Sequence, residues 1–558
     1  MSKLKQKIAD VLEETEAEKV DIIAHSTGGL IVKKYVVENT ENHNIDKAVF
    51  VGVPNTGAPK AVKALILGDS FGVPLLDAKE MKKIAKNLPV AYDLLPSEQY
   101  FNAKGSYVKT VEQNGLTDDI PHDLDFNEIN TFLTQDYQLN SQALINANNL
   151  HTADFDNYDL RANGIDLYAV NGCKTDTIGK FIKYRYQNAL HPGNIQINYI
   201  LDHTPGDGTV PLESATNLPI NQENKFYSLN ASHASMMSQD GSRQQIVNII
   251  SGSDLSTKNS KGRDLITQDI SKCELNGEAM AVFSPLSIDI VDQDGNHTGL
   301  ASDGVSIENN IPNASFEIID EHKFVYLSTD EGQTYTISVA GTGTGTFTVT
   351  NATISGNNIT QTQVFSDISV TPSLLGSISL SNDSDTALSL DTDGNGTTDQ
   401  TLEPTSILDA IESQNFIPEE PQDNTPVVSM GGGGSISSSF YQNPSTLDQV
   451  SSTSETPVVL PSTPVVAVAD VVELPVEIPK ETQVATKGNN SDTAPISQKA
   501  KSEEPVAVVP IPTENSQEEK TLTANVGDSN IPINIAVTFA SVAGLTGLFW
   551  VAKFFIKV

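Results

Sequence analysis

The run Val20–Ala24 (VDIIA) is short and apolar. It stops on a knot of small polar residues, His25-Ser26-Thr27-Gly28-Gly29, and an amphipathic pattern follows at once from Leu30. A run of that length, so bounded, predicts a buried strand, and the 3.6-residue period after it predicts a helix. Ala24-His25-Ser26-Thr27-Gly28 has the form small-x-Ser-x-small. Small residues two before and two after a serine let strand and helix approach closely around a sharp corner. Such a corner lifts the serine above the carboxyl end of the strand and beside the helix N–H groups, Thr27 N–H first among them. The same residues also fit an ordinary serine N-cap.

A serine hydroxyl needs a base, and the base needs a carboxylate to orient it. Further strands are expected at DKAVFVGVP (46–54), IDLYAVNG (165–172) and NKFYSLNA (224–231), with a closing helix at RQQIVNIIS (243–251). In the α/β-hydrolase order, Ser precedes the acid and the acid precedes His. HTPGDGTVPLESA supplies Asp207 after the third strand, beyond an insertion of about 30 residues, and SLNASHASMM supplies His233 after the fourth. Gly-Asp-Gly is also good turn material. Asp202 is a rival acid, and His203 and His191 are rival bases, but both histidines precede the acid loop. His25 reads as a structural neighbour of the serine.

The rest of the 558 residues divides by composition. We expect an α/β-hydrolase domain over 1–255, with a lid over about 55–164. Residues 272–410 alternate apolar and polar positions in SIDIVD, FEIID, YTISVA and TFTVTNATI, which predicts an Ig-like β-sandwich. Residues 413–530, rich in Pro, Ser, Thr, Val and Glu, predict a disordered linker or stalk. LPSTP within it departs from a sortase signal at Pro464 and reads as linker. Residues 533–552 carry no charge and are long enough to cross a bilayer as a helix, and Lys553 and Lys557 would then face the cytoplasm. This implies a membrane-anchored, extracytoplasmic protein. The N-terminus MSKLKQKIADVLEETEAEKV has no signal-peptide core. A net charge of −37 argues against nucleic acid as a partner. Two cysteines, Cys173 and Cys273, leave room for one bridge.

From about 18 to 240 the chain resembles the lecithin:cholesterol acyltransferase family of α/β-hydrolases. AHSTGGLIVKKYV, VGVPNTGAPKAVKALILGDSFG, NLPVAYDLLPSEQYF, YAVNGCKTDT and GDGTVPLESA carry the resemblance, followed by His233. It implies Ser26 as nucleophile, Asp207 as acid, His233 as base and Thr27 as one oxyanion donor. It also implies action on lipid acyl esters, with water or an alcohol as acceptor and no cofactor. The family's fold has strands ahead of the nucleophile strand, where this chain has room for one helix. We therefore expect an incomplete sheet and an N-terminally truncated chain, which would also account for the missing signal peptide.

Elsewhere, DTDGNGTTD places Asp391, Asp393, Asn395 and Asp399 at positions one, three, five and nine of an EF-type loop. Leu402 stands where the bidentate Glu belongs, so a weak calcium site and a polar turn are both open readings. DQDGNHTG (292–299) predicts a hairpin turn, and GTGTGTFTVT a strand lead-in rather than a phosphate loop. A second functional reading, from another class, is a surface adhesion or binding protein in which the β-sandwich and stalk act and the hydrolase part is an inactive remnant.

Overall fold

A computed structural model describes residues 2–416, apart from 70–77, 114–119, 188–194, 230, 259–261, 263, 284, 305, 330–332 and 381–385, together with 535–539 and 553–557. All the described residues belong to one unit. The expected linker falls almost wholly outside them.

Helix α1 (Ser2–Thr15) buries Leu4, Ile8 and Val11, the i, i+4, i+7 stripe of an amphipathic helix. Strand β1 (Val20–His25) follows, then α2 (Thr27–Glu38), β2 (Ile45–Val51) and α3 (Lys60–Ile66). Strand β3 (Asp166–Gly172) comes a hundred residues later, and the long strands β4 (Thr175–Gln187) and β5 (Ile195–Gly206) form a hairpin after it. Strand β6 (Lys225–Ser228) and α4 (Ser242–Ser251) complete the α/β part. Strands β1, β2, β3 and β6 lie side by side and parallel, in that order. Parallel strands require crossover connections, and these carry the helices onto the sheet faces. The carboxyl ends of β1, β3 and β6 therefore share one edge of the sheet, where Ser26, Asp207 and His233 gather.

The segment expected as a lid is more than helices. Val108–Gln113 pairs parallel with β4 and antiparallel with Ile120–Asp123, so that these three strands and β5 form a second, four-stranded sheet. The insertion after the third strand is therefore the β4–β5 hairpin. FIKYRYQ and INYILD carry the period-two pattern that builds it.

Two antiparallel sheets span Gly277–Asp409. One begins with β7 (Ser315–Ile319) and β8 (His322–Ser328) and runs on through Gly277–Phe283, Gly345–Ser355 and Asn358–Val370 to Ser406–Asp409. Their inner faces share one core that includes Val282, Ile288, Val339, Phe347 and Leu390. Asp292 caps the turn between Leu286–Asp292 and His297–Leu300, accepting from the N–H groups of Asp294 and Asn296.

The expectation of a membrane-spanning helix over 533–552 is not met in the part that is described. Ile535–Phe539 is a strand paired with Lys553–Lys557, which in turn pairs antiparallel with β1. Its sequence, IAVTF, is rich in β-branched and aromatic residues, and the edge of β1 offers Lys553–Lys557, on which it pairs, a ladder of N–H and C=O groups. Residues 540–552 lie outside the described residues, and among those described no helix is long and apolar enough to cross a membrane.

Cys173 and Cys273 are joined in a disulfide. It ties the end of β3 to the turn that leads into the first strand of the β-sheet region. Closing so long a loop restricts the unfolded chain, so Cys173→Ser should lower unfolding free energy by about 2–4 kcal/mol. A fall in the urea midpoint would show it, and an unchanged midpoint would refute it.

Candidate active site

Ser26 sits between β1 and α2 with φ 56 and ψ −135. That backbone region is rarely open to a residue with a side chain and costs about 1–3 kcal/mol, so the packing around it must hold it there. Gly29 shows how tightly the corner is built, since a Cβ there would stand 2.3 Å from a methyl of Val53. Ala24, two before the serine, is fully buried. Ser26 makes no N-cap hydrogen bond to α2, so the capping alternative does not describe it.

The three residues expected from sequence come together. His233 Nε2 lies 3.0 Å from Ser26 Oγ, and its Nδ1 lies 2.6 Å from Asp207 Oδ2. All three are almost wholly buried. Asp207 makes both kinds of contact at once. Oδ1 accepts from the N–H groups of Thr209 and Val210, closing the Gly-Asp-Gly turn, while Oδ2 faces the imidazole. The His233 N–H donates to the Asp207 carbonyl at 2.7 Å, which fixes the two loops to each other. Thr27 is the first residue of α2, where N–H groups have no partner within the helix.

The rival residues lie elsewhere. His203 pairs with Asp176 at 2.8 Å, and Asp202 Oδ1 accepts from the His203 N–H. His191 falls outside the described residues. His25 stands next to His233, ring centroids 4.8 Å apart, and its Nε2 meets the His233 carbonyl at 2.9 Å, so it braces the base's loop from below.

Two residues of the site escape sequence reasoning. Gly52 follows β2 with φ +55, and a Cβ on it would lie 3.0 Å from Asp207 Oδ2 and 3.4 Å from His233 Nδ1. It leaves no room for a side chain beside Asp207 and His233. A Cβ on Gly172, at the end of β3, would collide with Cβ of Asp207 at 2.5 Å. The VGVP and VNG strand ends are visible in the sequence, but which atoms they abut is a tertiary fact.

A cleft opens on Ser26. Ala58, Ala61, Ala64, Ala91, Leu94 and Val210 give it apolar walls, and Lys60 joins them. Helix α3 supplies three of these residues. It turns Val62, Leu65 and Ile66 into the core. Lys60 and Lys63 both reach Glu317 on β7, Lys60 at 3.1 Å, and Lys63 also meets Asp69 at 3.4 Å. Burial alone would raise the Glu317 carboxyl, but the two lysines outweigh it and hold it down to about 2.

At the DTDGNGTTD loop, carboxylate oxygens of Asp391, Asp393 and Asp399 lie within 4.8 Å of one another. Those of Asp391 accept from the N–H groups of Gly394, Asn395 and Gly396, Asp399 accepts from Thr392, and Asn395 Oδ1 accepts from Thr397 N–H. These bonds fold the loop as a polar turn.

A strained serine on a strand-to-helix corner, beside an apolar cleft and in line with a buried His and Asp, is the arrangement expected from the α/β-hydrolase pattern. Residues 1–163 match the family model described as Lecithin:cholesterol acyltransferase, so this stretch of the chain is LCAT-like. No curated protein matches the chain. Among solved structures it is similar to the chain of the Tle4-Tli4 complex at 15% identity and TM-score 0.28, over 38% of this chain and 53% of that one. It thus spans about half the length of that relative. It is also similar to the Bacillus licheniformis lipase BlEst2 in propeptide form at 10% identity and TM-score 0.23, over 69% of this chain and 84% of that one.

The depressed Glu317 carboxyl carries a pH signature. Unfolded, it titrates near 4.5, and folded, near 2. A carboxyl depressed on folding contributes stability that is complete above the unfolded value and is lost as pH falls through the folded one. Among the described residues the charged groups facing it are Lys60 and Lys63, and Asp69 faces Lys63 in turn. Stability should therefore fall between about pH 5 and pH 2 in the wild type, and more shallowly in Glu317→Gln. Denaturant midpoints across that window measure the difference, and equal slopes would contradict it.

Proposed function

We propose that the chain is a serine acyl-ester hydrolase or O-acyltransferase acting on lipid esters, with Ser26 as nucleophile, His233 as general base and acid, and Asp207 as its orienting carboxylate. The observation that carries this reading is the buried line from Ser26 Oγ through His233 to Asp207, at 3.0 and 2.6 Å. The LCAT-like match over 1–163 supports the lipid class, and so do the apolar walls of the cleft.

In this mechanism His233 carries its proton on Nδ1, donated to Asp207. Ser26 Oγ attacks the ester carbonyl as its own proton passes to His233 Nε2. The resulting imidazolium is stabilised by the Asp207 carboxylate. The tetrahedral oxyanion forms beside the Thr27 N–H, at the positive end of α2. His233 then hands its proton to the departing alcohol oxygen, the ester C–O bond breaks, and an acyl group remains on Ser26. Water or an alcohol, deprotonated by His233, attacks that acyl group and frees the serine. The acceptor alone separates hydrolysis from transfer, and an aqueous setting favours water. The Cys173–Cys273 bridge fits an oxidising, extracytoplasmic location. An assembled relay speaks against an inactive hydrolase remnant on an adhesion protein.

A fluorophosphonate probe tests the nucleophile, because it phosphonylates an activated serine. The wild type should label and Ser26→Ala should not. Labelling that persists in Ser26→Ala would overturn the assignment. Asp207→Asn should keep the fold but lower ester turnover by roughly 10⁴-fold, because the imidazole then loses its proper tautomer. A third prediction concerns the cleft. Ala61→Phe should close its inner end, cutting turnover of a dodecanoyl ester at least tenfold while sparing an acetyl ester. Equal losses on both esters would show that the cleft does not take the acyl chain.

A further inference from the structure

Strand β7 belongs to the β-sheet region, yet two of its side chains reach the walls of the proposed site. Ser315 and Glu317 are two residues apart, so they share one face of the strand. Glu317 takes Lys60 and Lys63 from helix α3. That helix carries Lys60, Ala61 and Ala64 into the cleft beside Ser26. Lys60 also reaches the carbonyl of Gly208, the residue after Asp207, at 3.4 Å. Ser315 Oγ donates to Asp176 Oδ2 at 2.7 Å, and the other oxygen of Asp176 holds His203 at 2.8 Å. Asp176 lies between Thr175, which bridges to Asp207, and Thr177, whose Oγ1 accepts the Gly208 N–H at 2.9 Å. Ile319 and Phe324, from β7 and β8, enter the same core as Val62, Leu65 and Ile66 of α3 and Phe181 and Leu201 of the β4–β5 hairpin.

Resting on the function proposed above, we infer that β7 is a strut of the acyl site and that Glu317 is a positioning residue setting which acyl chains the cleft accepts. One strand face braces both sides of the cleft. Glu317 holds the wall formed by α3, and Ser315 holds the foot of the hairpin that presents Asp207. Neither residue touches the reacting atoms. Removing the charge of Glu317 leaves Lys60 and Lys63 close together, with Asp69, 3.4 Å from Lys63, as their counter-charge among the described residues. Two like charges so placed repel, and α3, only seven residues long, shifts with them. The alanine wall then moves relative to Ser26. A short acyl group that fills only the mouth of the cleft does not register this shift, whereas a long chain lying along Ala61 and Ala64 does.

The test is a chain-length profile. Esterase rates of wild type and Glu317→Gln are measured on p-nitrophenyl acetate, octanoate and dodecanoate. We expect kcat/KM of Glu317→Gln to stay within about twofold on acetate and to fall about tenfold on dodecanoate, mainly through KM. A uniform fall on all three esters, or no change on any, overturns the proposal. Ser315→Ala, which removes a single hydroxyl, is the second variant and covers the case in which Glu317→Gln fails to fold. It should lower turnover on every ester severalfold, because it loosens the hairpin that carries the acid, and unchanged turnover counts against the strut. A readout independent of activity separates this inference from the function it rests on. Acylation of Lys60 and Lys63 by an N-hydroxysuccinimide ester, mapped by mass spectrometry, should be at least fivefold faster in Glu317→Gln than in wild type. Ser315→Ala should leave that rate unchanged. Equal rates in wild type and Glu317→Gln would sink the strut even if the serine chemistry stands. A wild type that turns over no ester but shows the lysine difference would sink the function and leave the strut.

Discussion

The backbone of Ser26 is held in a conformation that a side-chain-bearing residue seldom adopts, and much of the α/β part is arranged to keep it there. The parallel strands β1 and β2 fix the floor, with the Ser26 N–H donating to the carbonyl of Val51 at 3.0 Å. Gly29 allows α2 to lie against Val53 with no room to spare. His25 anchors the strand end to the loop of His233. The strain costs about 1–3 kcal/mol, and a fold that retains it gains a hydroxyl set against the wall of an apolar cleft.

Around that corner the site is assembled from strand ends. β1 delivers Ser26, β2 delivers Gly52 beneath the acid and base, β3 leads through the β4–β5 hairpin to Asp207, and β6 leads to His233. The carboxylate oxygens of Asp207 are divided between a turn and an imidazole, so the same hydrogen bonds that shape the loop also aim the acid. Burial of all three groups in a low-dielectric setting strengthens each of these contacts. The β-sheet region adds a brace to this arrangement, through a disulfide beside Gly172 and through the charged face of β7.

What the sequence discloses here follows from the range of each interaction. The convergence of Ser26, Asp207 and His233 was legible because each stands in a turn with its own local chemistry and because their order along the chain is constrained. The parallel strands were legible as short apolar runs. The β4–β5 hairpin was read only as an insertion. Its alternation was present in FIKYRYQ and INYILD, but its partner strand, Val108–Gln113, lies far away in sequence within a stretch that looks helical. Gly52 and Glu317 leave no local trace, since their roles depend on atoms from other strands and from another sheet. The apolar segment near the C-terminus reads as a helix by length alone, yet the part of it that is described, Ile535–Phe539, pairs as a strand with Lys553–Lys557, which itself lies on the edge of β1.

The central claim is that Ser26 forms a covalent acyl intermediate through His233. Intact-mass spectrometry after rapid mixing with a slowly deacylating ester, followed by peptide mapping, tests it most directly. The account predicts one acyl mass on the peptide that contains Ser26, absent from His233→Ala. An acyl group on any other residue, or turnover of the ester by a protein that never carries one, would contradict it.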